Sequence, residues 1–233
     1  MKLTADLINN AQSYINPLKD RELTLRGHKV PVIENLGVTK DLNDAIDLTD
    51  NDITHLNNIP RLLRLRRLLI ARNRITHISP TIAKSVPNLT TLILTSNSIS
   101  NLSDLEGLKE LKQLSYLSLV NNPITRREHY RSWVIWRLPS VRVVDYEKVR
   151  QVERQDAAKL FGTFDDPTPL ATKLSTAVAK ARTFEVEGTN DNEANRAKLT
   201  ATDRERIMEQ LRNAKSLSEI ERLEQTLRTL ERS

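Results

Sequence analysis

One eleven-residue pattern, L-x-L-x-x-N-x-I-x-x-L, organises the first two-thirds of the chain. It stands as IDLTDNDITHL from Ile46, LLIARNRITHI from Leu68, LILTSNSISNL from Leu92 and LSLVNNPIT from Leu117. A degenerate copy, LTLRGHKVPVI, starts at Leu23 and carries His28 in the asparagine slot. The leading residues are separated by 23, 22, 24 and 25 residues. Two leucine-type residues spaced by two share one face of an extended strand. A unit this short cannot bury that face alone, so the copies must stack and cover one another.

Motif and period are those of leucine-rich repeats. They predict an α/β fold: a leucine-rich repeat solenoid, an arc with a concave parallel β-sheet and helical caps at both ends, followed by a linker and a helical C-terminal tail. Asn51, Asn73, Asn97 and Asn122 follow the strands at the turns, where their amides are expected to satisfy backbone groups of the neighbouring coil. At the front, LTADLINNAQSYI places Leu3, Leu7, Ala11 and Ile15 on one helical face, with Thr4 as the N-cap. At the back, HYRSWVIWRLP reads as a helix packed through Trp133 and Trp136, which accounts for the 27-residue step from Leu117 to Val144. LPSVRVVDYEKV reads as a half repeat with Val141, Val144 and Tyr146 turned inward. EKVRQVERQDAAKLF closes the cap as a helix ending near Phe161.

The expected boundaries are 1–161 for the repeat domain with its caps, 162–200 for a mostly flexible linker and 201–233 for the helical tail. A short helix is expected around 170–181. In the tail, Thr202 caps one helix and Ser218 with Glu221 forms a capping box for another. Ile220, Leu223, Leu227 and Leu230 make an apolar stripe there.

Strand alternation sends the residues between the inward leucines onto the concave face. The central row is Thr24, Asp47, Leu69, Ile93, Ser118 and Asp145. One flanking row is Arg26, Thr49, Ala71, Thr95 and Val120, and the other is Glu22, Ala45, Arg67, Thr91, Tyr116 and Val143. Leu69 and Ile93 fall side by side, with Ala71, Tyr116 and Val120 near them. An apolar centre with a charged rim is the anatomy of a protein–protein site. Glu22, Asp47, Asp50 and Asp52 are expected to make one end of the groove acidic, which favours a basic helix as the occupant.

Charge and composition narrow the function. Residues 1–150 hold 22 Lys+Arg against 15 Asp+Glu, and the remainder is close to neutral, so the basic excess lies in the repeats. Such a surface permits phosphate contact. Aromatics are only 4% of the chain, too few for a base-stacking platform, which argues against independent sequence-specific RNA reading. The absence of cysteine excludes disulfides, thiolate catalysis and cysteine zinc sites. The four histidines lack metal-ligand spacing, and His55 and His77 recur at one repeat position. No enzyme activity, metal or cofactor is expected. MKLTADLINNAQ lacks an apolar signal core, and no apolar run approaches membrane-spanning length, so an intracellular chain without membrane contact is expected.

The block LKDRELTLRGHKVPVIENLG goes beyond generic repeat requirements. With AIDLTDNDI, LPSVRVVDYEKVRQVERQDAAKLF and ARTFEVEG, it resembles the A-prime family of the U2 small nuclear ribonucleoprotein over roughly residues 2–188. The resemblance implies a nuclear, non-catalytic component of the particle that recognises the intron branch site in pre-mRNA splicing. It implies that one helix of the B-double-prime protein, a small RNA-recognition-motif protein, lies in the groove. The pair would hold a stem-loop of the U2 RNA, its loop bases read by the partner. Lys19, Arg26, Lys29 and Arg150 are the candidates for contact with the RNA stem. The C-terminal helices are candidates for contact with other spliceosomal proteins. An adaptor of another kind, such as a phosphatase-regulating subunit, is the alternative reading.

Overall fold

The computed structural model describes residues 1–164 and 166–175. Helix α1 (Ala5–Asn10) opens the chain, and Thr4 caps it by accepting the Leu7 N–H on Oγ1 at 3.2 Å. Ile8 is the residue it buries, Leu3 just before it is buried too, and Leu7 and Ala11 pack partly against the core. The expected helical stripe ends early. Ile15 lies in strand β1 (Ser13–Ile15) and is 65% exposed. Pro17 disfavours helix at the residue before it. Asn16 instead organises a turn, its Oδ1 accepting the N–H groups of Leu18 and Asp20 at 3.0 Å. That turn folds β1 antiparallel onto β2 (Arg21–Thr24), pairing Ser13 with Leu23.

The repeats then supply β3 (Ala45–Asp47), β4 (His55–Leu56), β5 (Arg67–Leu69), β6 (His77–Ile78), β7 (Thr91–Ile93) and β8 (Tyr116–Ser118). The C-terminal cap adds β9 (Val143–Val144) and β10 (Glu147–Lys148). The main sheet has the order β1-β2-β3-β5-β7-β8-β9-β10. Its strands are parallel from β2 to β9, in the register Leu23, Ile46, Leu68, Leu92, Leu117, Val144. Those six residues, and Leu25, Leu48, Ile70, Leu94 and Leu119 two positions on, are all buried. Each such side chain contributes roughly 1.5–3 kcal/mol by leaving water. On the return side β4 and β6 form a small parallel pair through His55 and His77. The recurrence of histidine is thus a repeat position. Short helical turns complete the return segments, among them α2 (Ile82–Ser85).

At the back, α3 (Tyr130–Arg137) and α4 (Gln151–Phe161) close the core. Trp133 is fully buried, donates from Nε1 to the Leu102 carbonyl at 3.2 Å and meets Phe161 edge-on at 5.3 Å. Trp136 donates from Nε1 to the Gly162 carbonyl at 2.8 Å. Val141 and Val144 are inward as expected, but Tyr146 is 63% exposed. Asp145 and Tyr146 both adopt left-handed backbone, at φ 51° and 68°, and the reversal into β10 turns Tyr146 outward. Asp145 also leaves its expected row. Its carboxylate accepts the Leu119 N–H at 2.6 Å and the Tyr130 hydroxyl at 2.7 Å, joining β8 to the cap. Packing continues past Phe161: residues 169–175 are helical, Ala171 is buried, and Leu170 and Leu174 rest on the core. The rest of the expected linker and the helical tail lie outside the described residues.

The asparagines bind coil to coil. Nδ2 of Asn51, Asn73, Asn97 and Asn122 donates to the carbonyl of Leu25, Leu48, Ile70 and Leu94 at 2.9, 3.0, 2.9 and 2.8 Å, each in the preceding repeat. Oδ1 accepts from the N–H of Val30, Ile53, Ile75 and Ile99, again one repeat back, at 3.0–3.1 Å. The residue before each asparagine is left-handed: Asp50, Arg72, Ser96 and Asn121, at φ 61°, 52°, 57° and 59°. In the degenerate first copy that slot holds Gly27 at φ 71°, where glycine carries no steric penalty. Asn97→Ala orphans the Ile75 N–H in the interior and leaves the Ile70 carbonyl only its 3.3 Å bond from Asn73 Nδ2. It is expected to lower unfolding stability by about 2 kcal/mol, since a buried unpaired group costs about 1–3. A urea midpoint shift at unchanged slope is the check.

Candidate functional site

The concave face assembles in the expected register, with Thr24, Asp47, Leu69, Ile93 and Ser118 in one hydrogen-bonded row. Leu69 and Ile93 stand next to one another at its centre, each half-buried. Ala71, Thr95 and Val120 continue one side, and Arg67, Thr91 and Tyr116 the other, all partly accessible. Tyr116 meets Tyr146 edge-on at 6.2 Å, and partial burial raises its hydroxyl pKa. Tyr146 therefore extends the apolar centre toward the C-terminal cap, a contribution hidden in the sequence by its apparent inward slot.

The acidic end of the groove differs from expectation. Glu22 and Asp47 are buried. Glu22 accepts from the Tyr14 hydroxyl at 3.0 Å and from Asn16 Nδ2 at 2.9 Å. Asp47 accepts the Thr49 N–H at 2.9 Å and lies 3.5 Å from Arg26 Nε. Ser118 is buried too, its hydroxyl sharing a 2.9 Å hydrogen bond with that of Thr95. These carboxylates are spent inside the fold, where a buried charge requires a partner. They offer an incoming helix little free negative charge.

Two edges flank the face. The trailing edge, after the strands, holds cation–carboxylate pairs: Arg26 with Asp47, Lys29 with Asp50 at 2.8 Å and Arg74 with Asp52 at 3.2 Å. Arg26 and Lys29 are therefore neutralised by partners, whereas Lys19 is exposed on a left-handed turn at φ 64°. Arg150 precedes α4, its N–H donating to Glu153 at 2.8 Å, and its side chain is exposed. The four RNA-stem candidates are thus spread over the front turn, the trailing edge and the back cap.

The leading edge, before the strands, is built differently. Asp44 accepts the Arg21 N–H at 3.0 Å and the Arg64 Nε–H at 2.9 Å, tying neighbouring repeats. The Arg64 guanidinium, followed by the Arg21 N–H, holds its carboxyl below the usual carboxylate range. Arg67 Nε lies 3.0 Å from Asp20 Oδ2, an ion pair off the hydrogen-bonding direction. Among the described residues no group of His, Asp and Glu is arranged to hold a metal ion, and no helix is long and apolar enough to cross a membrane.

The leucine-rich repeat family matches residues 1–173. The U2 small nuclear ribonucleoprotein A′ of Aspergillus fumigatus is 56% identical over 93% of this chain and 87% of its own length. Its human counterpart is 43% identical over 98% of this chain and 88% of its own length. A crystal structure of the Drosophila melanogaster SNF/U2A′ complex contains a chain 43% identical to this one. It superposes with a TM-score of 0.68 over 78% of this chain and 99% of that one. The chain belongs to the U2 small nuclear ribonucleoprotein A′ family. That family is non-catalytic and built on leucine-rich repeats, as the motif and the LKDREL block imply. In this A′ family chain Asn51, Asn73, Asn97 and Asn122 are structural.

The depressed Asp44 carboxyl gives the fold a pH dependence of known sign. Its stabilisation is fully present above the ordinary aspartate range near 3.9 and is lost as pH falls through its lower folded value. Asp44→Asn is expected to flatten the acid limb of stability. Urea denaturation at a series of pH values between about 6 and 2.5 measures it against that range.

Proposed function

We propose that the chain is a structural component of the U2 small nuclear ribonucleoprotein, acting in the nucleus in pre-mRNA splicing. Its concave face binds a helix of an RNA-recognition-motif protein of the B-double-prime kind and so supports that protein on a stem-loop of the U2 RNA. The supporting observation is the pair Leu69 and Ile93, side by side and half-accessible at the centre of the sheet face. The Drosophila relative, crystallised with SNF, supports the choice of partner.

The contact surface comprises Glu22, Thr24, Asp47, Thr49, Arg67, Leu69, Ala71, Ile93, Thr95, Tyr116, Ser118 and Val120. Burial grades them. Leu69, Ile93, Tyr116 and Val120 present apolar surface to a helix. Glu22, Asp47 and Ser118 shape the floor through internal bonds. Affinity in such interfaces concentrates in a few central, desolvated side chains. Lys19 and Arg150 are the stronger RNA-stem contacts of their group, because Arg26 and Lys29 must first leave Asp47 and Asp50.

The test is the double substitution Leu69→Asp and Ile93→Asp. Both side chains are partly exposed, so the variant is expected to fold, as circular dichroism and a cooperative melt would establish. Capture of a B-double-prime-type protein should weaken by at least about 30-fold, matching loss of a central anchor worth more than 2 kcal/mol. Undiminished capture by the folded variant would exclude the concave face as the binding site.

A further inference from the structure

The leading edge carries a second polar track that the groove does not use. Backbone bonds run along it from repeat to repeat: the Thr90 N–H donates to the Arg66 carbonyl at 2.8 Å, Ser115 to Thr90 at 2.9 Å and Arg142 to Ser115 at 2.8 Å. Arg66, Thr90, Ser115 and Arg142 thus form one rail. It spans three strand spacings, roughly 14 Å at about 4.8 Å each. Two open hollows lie along it. One, of about 470 Å³, is lined by Arg64, Arg66, Asn88 and Thr90, with Leu63 as its apolar wall. The next, of about 540 Å³, is lined by Lys112, Ser115, Ser140, Arg142 and Arg154. Gln113 borders both, so the hollows are neighbours.

Asp44, next to Arg66 along this rail, offsets part of its charge, and the cations beyond it are unpaired. No carboxylate lines either hollow. Arg64 is matched by Asp44, but Arg66, Lys112 and Arg142 form no ion pair among the described residues. The Arg154 guanidinium donates to the carbonyls of Pro139 and Val141 and keeps its full charge. The trailing edge, with its Arg–Asp and Lys–Asp pairs, is the opposite case.

We infer that the leading edge binds the phosphodiester backbone of duplex RNA, at a site separate from the groove and from the stem contacts proposed above. The track lacks the apolar centre of a protein interface. It also lacks aromatic side chains on which single-stranded bases could stack. Cations at both ends, with hydroxyl and amide groups of Thr90, Ser115 and Gln113 between them, suit phosphates and 2′-hydroxyls, which is how duplex RNA is held without reading sequence.

The test uses the full chain and a mixed-sequence RNA duplex of about 16 base pairs, with affinity followed by fluorescence anisotropy between about 50 and 200 mM salt. Arg66→Gln, Lys112→Gln and Arg142→Gln are combined in one variant. All three side chains are exposed, so folding should be retained. Binding should weaken by at least about tenfold, and the salt slope should flatten by about 2–3, near 0.9 per lost phosphate contact. The matched variant Arg74→Gln with Lys84→Gln, two exposed cations off this rail, should bind as the wild type does. Leu69→Asp with Ile93→Asp should also keep duplex binding, so that failure of the groove reading and of this one are distinguishable. Equal loss in the two neutralised variants, loss in the groove variant, or tighter binding of a polyglutamate peptide than of the duplex would each overturn the inference.

Discussion

Four successive coils of this protein are each held to the one before by a side-chain amide that replaces a missing piece of backbone. A strand two or three residues long leaves polar groups at its end that water cannot reach once the coils stack. Asn51, Asn73, Asn97 and Asn122 resolve this by giving and receiving a hydrogen bond in the preceding repeat. Asparagine offers both a donor and an acceptor on one planar group at the end of a single methylene, whereas glutamine is a methylene longer. The price is paid one residue earlier, where Asp50, Arg72, Ser96 and Asn121 accept left-handed backbone. Left-handed backbone is unfavourable for any residue with a side chain. The geometry that results sets where the strands begin, and so fixes which residues face the groove.

With rungs fixed, charges fall into a regular pattern along the two edges. A carboxylate on one repeat meets a cation on another, as Asp44 meets Arg64 and Asp50 meets Lys29. Exposed pairs of this kind contribute little stability. Their larger consequence is electrostatic: they pair off cations at both edges but leave Arg66, Lys112 and Arg142 without an ion pair at the leading edge. The net basic charge of the repeats is therefore directional.

Periodicity exposed most of this architecture because a repeat repeats its solution. The inward leucines, the asparagine ladder and the central pair Leu69 and Ile93 could all be read from spacing, since strand alternation leaves no other arrangement. Legibility failed where the period ends. Ile15 and Tyr146 occupy the two hairpins that seal the sheet, and there a turn replaces the rule of alternation. It also failed for Glu22 and Asp47, because spacing gives a side chain's direction and says nothing of what covers it. Tyr14 and Asn16 of the opening hairpin cover Glu22, and the turn at Thr49 draws in the Asp47 carboxylate. The left-handed slot had traces in the sequence, Gly27, Asp50 and Asn121, but Arg72 and Ser96 adopt that conformation only under constraint.

A solenoid separates surfaces that a globular fold would merge. Each coil contributes only a few residues to its core, so the face and the edges are built from different, interleaved positions of the same short motif. Exchanging Leu69 alters the face and leaves Arg66 untouched three residues away, because the intervening Leu68 is anchored in the core. The apolar centre can then be shaped for a helix while the leading edge remains polar and cationic. The rigidity of the asparagine ladder keeps these surfaces at a constant spacing. A protein bound on the face and a polyanion bound along the edge would be held in fixed relation to each other by the hydrogen bonds that hold the coils together.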